Sequence, residues 1–158
     1  MLEEFQSILE NRFPGLRGRP FLLACSGGVD SMVLAHLCYQ SKLQFSLAHC
    51  NFGLRGAESD ADEELVRAFA KKIDHKIYIT NFDTIDYVNK YKVSIEMAAR
   101  ELRYTWFTEI RSEYRIDTLL TAHHADDNLE TFLINLSRGT GIDGLLGIPE
   151  QTETTIRP

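Results

Sequence analysis

The chain contains no apolar run long enough to cross a bilayer. Its longest unbroken stretches, such as Phe21 to Cys25, fall far short of the roughly 20 residues a spanning helix needs. Cysteine is scarce: Cys25, Cys38 and Cys50 are odd in number and widely spaced, which suits neither a disulfide framework nor a Cys-x-x-Cys metal clip and points to free thiols in a reducing compartment. A basic excess is also missing. With a formal charge of −6, the domain as a whole does not attract polyanions, so any grip on nucleic acid must come from a local patch or another domain. The N-terminus, Met1-Leu2-Glu3-Glu4-Phe5, is acidic where a secretory signal needs a basic start. These absences exclude a membrane protein and a secreted disulfide scaffold, and they predict a cytoplasmic protein. No internal repeat or low-complexity tract is visible.

What remains is 158 residues with 44% hydrophobic content, enough for one core but not for two comfortable domains. Short apolar runs at Phe21 to Cys25, Phe45 to His49, Lys76 to Thr80 and Thr118 to Ala122 alternate with helical patterns. This βαβ rhythm predicts an α/β fold, a parallel sheet with helices on both faces. The row Ala61, Leu65, Phe69, Ile73 is expected to be one sheet-facing helix face, and Ile95, Ala99, Leu102, Trp106, Ile110 another. Ser94 stands at an N-cap position, and the acidic run Glu58 to Glu64 near a helix start, where carboxylates suit the dipole. Glycines at Gly139, Gly141, Gly144 and Gly147 read as a loop.

The sharpest signal is Ser26-Gly27-Gly28-Val29-Asp30-Ser31, directly after an apolar strand and before a helical run from Met32 to Tyr39. Two glycines let the backbone approach a ligand closely. Amides of the turn and first helical turn then converge where the positive helix end favours an anion. Ser26 and Ser31 offer hydroxyl donors, and a phosphate is the natural guest. No Gly-Lys-Ser/Thr follows, so this is not a Walker loop. Asp30 beside a polyphosphate makes chemical sense when Mg²⁺ lies between them.

Three further constellations sit at strand ends or on helices. In His49-Cys50-Asn51-Phe52-Gly53-Leu54-Arg55-Gly56, Arg55 is a candidate phosphate or carboxylate clamp; the alternative is a plain glycine turn with Arg55 solvated. His49 and Cys50 lack the neighbours of a metal site and read as packed, hydrogen-bonded residues. Arg100, Arg103 and Tyr104 share one helix face by their spacing, with Glu96 one turn before Arg100. Two guanidiniums there suit a triphosphate or departing pyrophosphate; a surface helix with a Glu96–Arg100 pair is the competing account. In Ala122-His123-His124-Ala125-Asp126-Asp127-Asn128-Leu129-Glu130-Thr131, Asp126, Asp127 and Glu130 crowd one face, which calls for Mg²⁺ or an ammonium group unless they merely cap the helix. His123-His124 lacks the further ligands that zinc requires.

Ser-Gly-Gly-x-Asp-Ser after a first strand resembles the PP-loop of the N-type ATP pyrophosphatases. The resemblance implies a five-stranded parallel fold of the adenine nucleotide alpha hydrolase-like type, whose loop holds the β and γ phosphates of ATP while the α phosphate is attacked. The strings His-x-Asn-x-x-Leu-Arg-Gly, Ala-Arg-x-x-Arg-Tyr, Ala-His-His-x-Asp-Asp-x-x-Glu-Thr and Arg-Gly-Thr-Gly resemble, within that family, the tRNA(Ile)-lysidine synthases. This second resemblance covers positions 22 to 158. It implies that Ser26, Gly27, Gly28, Val29, Asp30 and Ser31 bind ATP, that Asp30 and Asp127 lie near Mg²⁺, and that Asp127 and Glu130 hold the amino groups of L-lysine. It also puts Arg100 beside the phosphates, with Arg55 and Arg103 as companions. The implied reaction is attack of the C2 oxygen of a wobble cytidine of tRNA(Ile) on the α phosphate, then displacement of AMP by the lysine ε-amine. Residues 1–158 then form the N-terminal catalytic domain, ending before C-terminal domains that contact the tRNA. No membrane partner is implied, and a dimer is among the arrangements the sequence allows.

Three rivals compete with this reading. A tRNA 2-thiocytidine synthase shares the loop but holds an iron–sulfur cluster through Cys-x-x-Cys, which is lacking here. An amidotransferase-type synthetase brings a glutaminase domain. A nucleotide-binding sensor without chemistry has no use for three acids beside a triphosphate.

Overall fold

The computed structural model describes residues 1–122 and 155–156. In chain order these form α1 (Leu2–Arg12), a 3-10 turn (Pro14–Arg17), β1 (Phe21–Ala24), α2 (Val29–Gln40), β2 (Phe45–Asn51), α3 (Ala57–Ile73), β3 (Ile77–Asn81), α4 (Thr84–Tyr91), α5 (Ile95–Tyr114), β4 (Leu119–Thr121) and β5 (Thr155–Ile156). The five strands make one parallel sheet in the order β3-β2-β1-β4-β5. All four expected strands are present, each within two residues of its sequence limits. The chain builds β2 and β3 to one side of β1 and then places β4 on the other. The strand order therefore reverses between β1 and β4, and ligands of open α/β sheets bind outside the carboxyl ends of strands at such a point.

Side chains along a strand alternate between faces, and the core divides accordingly. Phe21, Leu23, Leu47 and Leu120 join Phe5, Leu9, Leu34, Val66 and Ala70 from α1, α2 and α3. On the opposite face Leu22, Ala48 and Leu119 meet Phe107 and Ile110 of α5. Strands covered on both sides read as continuous apolar runs, which is why Phe21 to Cys25 shows no polar alternation.

The two helix faces differ from expectation. In α3 the buried residues are Ser59, Val66, Ala70 and Ile73, while Leu65 is 47% exposed. A helix advances 100° per residue, so a strict four-residue row drifts by about 40° at each step and leaves the sheet. In α5 Ala98, Phe107 and Ile110 are buried and Ile95 is exposed. Phe107 and Ile110, in its second half, pack on the sheet; the first half meets α4, where the Tyr87 hydroxyl donates to Glu101 at 2.6 Å. Ser94 caps α5 as expected, its Oγ accepting from the Met97 amide at 3.1 Å. Glu58 and Asp60 lie in the first turn of α3. The free thiols Cys25 and Cys38 are buried and Cys50 is half-buried. Among the described residues no helix is long and apolar enough to cross a membrane.

Candidate active site

The glycine loop leaves β1 and enters α2 through a turn that only glycine accommodates at its first corner. Gly27 has φ +86°, and a Cβ placed there would lie 2.8 Å from Asp62 Cβ and 3.0 Å from the Asp62 carbonyl oxygen. Gly28 is the N-cap of α2, with extended backbone. The serine hydroxyls turn inward instead of toward a ligand. Ser31 Oγ accepts from the Ser26 amide (3.1 Å) and the Gly27 amide (3.2 Å) and donates to the Gly28 carbonyl (3.1 Å); Ser26 Oγ accepts from the Gly28 amide at 3.2 Å. Ser26 and Ser31 thus form an internal brace that satisfies loop amides, and both also line the cleft beside the loop.

The first rung of α2 runs from the Met32 amide to the Gly28 carbonyl at 3.0 Å. The amides of Val29, Asp30 and Ser31 therefore belong to the first turn, whose N–H groups point along the helix axis and favour an anion. Val29 is 77% exposed, so the rim of the loop is open. Asp30 stands half-buried in that turn.

Beside the loop a small cleft of about 90 Å³ opens at the point where strand order reverses, bounded by Cys25, Ser26, Ser31, Cys50, Phe52 and Arg103 among others. Arg103 is its only charged lining residue among the described ones. Its Nε is buried and has no hydrogen-bond partner among the described residues, and burial lowers its pKa from the usual guanidinium value, with Tyr104 and Cys50 acting the other way. A guanidinium whose Nε is buried without a partner is suited to pairing with an anion. Burial pushes the Cys50 thiol up to about 12, with Arg103 opposing the rise, so Cys50 stays protonated and is no nucleophile near neutral pH.

The other candidates are placed differently. Arg100 shares its helix face with Arg103, and each guanidinium lies 5.6 Å from the Tyr104 ring centre. Arg100 is exposed, however, and does not line the cleft. Arg55 is also exposed, its Nη2 held by Asp62 at 2.8 Å and its Nη1 3.9 Å from Glu58. Gly53 and Gly56 both have positive φ and make the turn that carries it. Arg55 does share a second, larger cleft of about 230 Å³ with Ser26, His49 and Asp62. Among the described residues no group of three His, Cys, Asp or Glu side chains is placed to hold a metal ion. His123, His124, Asp126, Asp127, Glu130 and the glycines from Gly139 to Gly147 lie outside the described residues.

Sequence reasoning missed Phe52, Phe107 and Thr121 as cleft walls. For Phe52 a signal existed, since it directly follows a strand end; Phe107 enters only through the way α5 crosses the sheet.

The whole of this geometry falls within a match to the PP-loop domain, which extends over residues 1–158. The chain belongs to the PP-loop family. Its PP-loop domain is 48% identical over 137 residues to the tRNA(Ile)-lysidine synthase of Bacteroides thetaiotaomicron, covering 87% of this chain and 32% of that protein. It is 46% identical over 145 residues to the tRNA(Ile)-lysidine synthase of Chlorobaculum tepidum, covering 89% of this chain and 44% of that protein. The chain thus spans about a third to under a half of the length of these curated relatives. Among solved structures, the NH3-dependent NAD synthetase from Campylobacter jejuni superposes with a TM-score of 0.56 at 16% identity, over 89% of this chain and 57% of that one. The NMN synthetase from Francisella tularensis gives 0.56 at 13% identity, over 75% and 51%. At such identities these two likenesses concern the PP-loop fold alone.

Proposed function

We propose that this PP-loop domain is the ATP-binding catalytic part of a tRNA(Ile)-lysidine synthase, an ATP-dependent ligase that forms a carbon–nitrogen bond. The observation that carries the reading is Arg103, its Nε buried, in one cleft with Ser26 and Ser31 of the loop; the identity to lysidine synthases over most of this chain supports the choice of family member.

In this reading the first-turn amides of α2 hold the β and γ phosphates of ATP, and Arg103 stabilises charge at the phosphate under attack. The cytidine C2 oxygen attacks the α phosphorus and pyrophosphate leaves. The ε-amine of L-lysine then displaces AMP from the adenylated base, giving lysidine. Asp127 and Glu130 orient that amine. Arg100 and Arg55 flank the site, and an approaching triphosphate competes with Asp62 for the Arg55 guanidinium.

Mg²⁺ fits the donor chemistry here. It is usually held by one or two carboxylates together with substrate phosphates and water, not by an all-protein cage, and Asp30 supplies one such carboxylate in the first turn of α2. With Asp127 as the second ligand, the ion supplies charge neutralisation for the leaving pyrophosphate.

The test is to incubate full-length protein with ATP, L-lysine and tRNA(Ile) bearing a CAU anticodon and to resolve the products. AMP, pyrophosphate and a lysine-dependent mass increase on the tRNA are expected. ADP as the nucleotide product, or equal turnover without lysine, rejects the reading.

A further inference from the structure

His49 lies at the end of β2, 2% exposed, and its Nδ1 is 2.8 Å from the carbonyl oxygen of Cys25, the residue that immediately precedes the PP-loop. A carbonyl only accepts, so Nδ1 carries the proton and donates. The Nε2 atom is buried and has no hydrogen-bond partner among the described residues. A neutral imidazole kept for packing alone would bear that desolvation for nothing, and an aliphatic side chain would fill the space more cheaply. The Nδ1 bond is what the imidazole provides.

We propose that His49 is a positioning residue that fixes the orientation of the Cys25–Ser26 peptide, and through it the amides of the PP-loop. The parallel register of β1 with β2 ends at Ala24 and Ala48, and the last rung is the Cys25 amide on the Ala48 carbonyl at 2.9 Å. Beyond that rung β1 leaves the sheet. The Cys25 carbonyl and the Ser26 amide belong to one rigid peptide plane. His49 holds the carbonyl end of that plane, and Ser31 Oγ holds the amide end at 3.1 Å. With both ends fixed, the plane cannot rotate as the chain enters the strained Gly27 corner, and the first-turn amides stay aimed at one point. Releasing the His49 end leaves that peptide plane held at its amide end by Ser31 Oγ, a residue of the loop itself.

This inference rests on the reading of the loop as a polyphosphate site, and its test uses ATP and adenosine as probes of the 158-residue chain by calorimetry. H49N keeps an N–H donor on the atom that corresponds to Nδ1; H49Q moves the donor one bond farther out; H49A removes it. ATP affinity is expected to fall about tenfold in H49Q and H49A, the size of one lost hydrogen bond, while adenosine affinity stays within about twofold and H49N binds ATP as the unaltered chain does. Should H49A fail to fold, the Asn and Gln pair, compared at matched melting temperature, decides the matter. Equal ATP affinity in H49Q and H49N overturns the inference, as does a parallel fall in ATP and adenosine affinity that follows thermal stability. Absence of ATP binding by the unaltered chain overturns the reading of the site and the inference with it; ATP binding that H49Q leaves intact overturns the inference alone.

Discussion

Replacing Gly27 by alanine tests the loop geometry most directly. Two penalties coincide at this position. The backbone sits at φ +86°, a left-handed conformation that costs a residue with a Cβ roughly 1–2 kcal/mol. The new methyl also meets Asp62 at 2.8 Å from its Cβ, 3.0 Å from its carbonyl oxygen and 3.1 Å from its Cα. Two of these three atoms are α3 backbone, so no rotamer change relieves the clash, and overpacking of this kind costs about 1–3 kcal/mol. Together the penalties destabilise Gly27→Ala by about 2–5 kcal/mol, which for a domain of this size lowers Tm by roughly 4–20 °C. The neighbouring Gly28→Ala variant is the control. Gly28 has φ −70°, and a Cβ there meets nothing closer than Ser26 Oγ at 3.3 Å. Its cost is about 1 kcal/mol or less, the loss of a tolerated N-cap glycine. Thermal and urea unfolding followed by circular dichroism should separate the two variants clearly. Coincident transitions for Gly27→Ala and the unaltered chain, or an equal fall for Gly28→Ala, would refute the close approach of the loop to α3.

Arg103→Met should dissociate stability from activity: replacing a desolvated cation by an apolar side chain of similar length leaves Tm unchanged or raised, while AMP formation by full-length protein falls about 10²–10³-fold; a large loss of Tm with activity retained counts against Arg103 as the anion site. Ser94→Ala removes the acceptor of the Met97 amide and should cost about 1 kcal/mol, seen as a shift in urea midpoint with an unchanged m-value. The buried thiols predict alkaline sensitivity. Burial raises the pKa of Cys25 and Cys38 and brings Cys50 to about 12, all from a starting value of 9.0. The folded state therefore keeps these protons to higher pH than the unfolded chain, so the thiols' contribution to stability is fully present below about pH 9 and is lost as pH rises toward 12; unfolding free energies that stay level from pH 9 to 11 would contradict this.

The sequence by itself determined the strand-and-helix rhythm and the glycine loop at the end of the first strand. These are local properties: apolar runs between polar helices, two adjacent glycines, and a cap such as Ser94 all act over a few residues. Helix ends were less legible. Asp74, Lys92 and Arg115 close α3, α4 and α5 in the left-handed conformation that a reader expects of glycine, and their backbone amides cap the last turns, as the Lys92 amide does on the Val88 carbonyl at 2.9 Å.

Tertiary structure alone decided three matters. It separated Arg103, whose guanidinium enters the cleft, from Arg100, three residues away and exposed, because α5 lies on the sheet along its second half and not its whole length. It paired Arg55 with Asp62 by folding the Gly53–Gly56 turn back onto α3. It also set the His49 ring against the Cys25 carbonyl across 24 residues of sequence. Spacing along the chain says which side chains can share a helix face. Which of them meets a loop from another strand depends on strand order and helix crossing, and those follow from burial of the whole sheet.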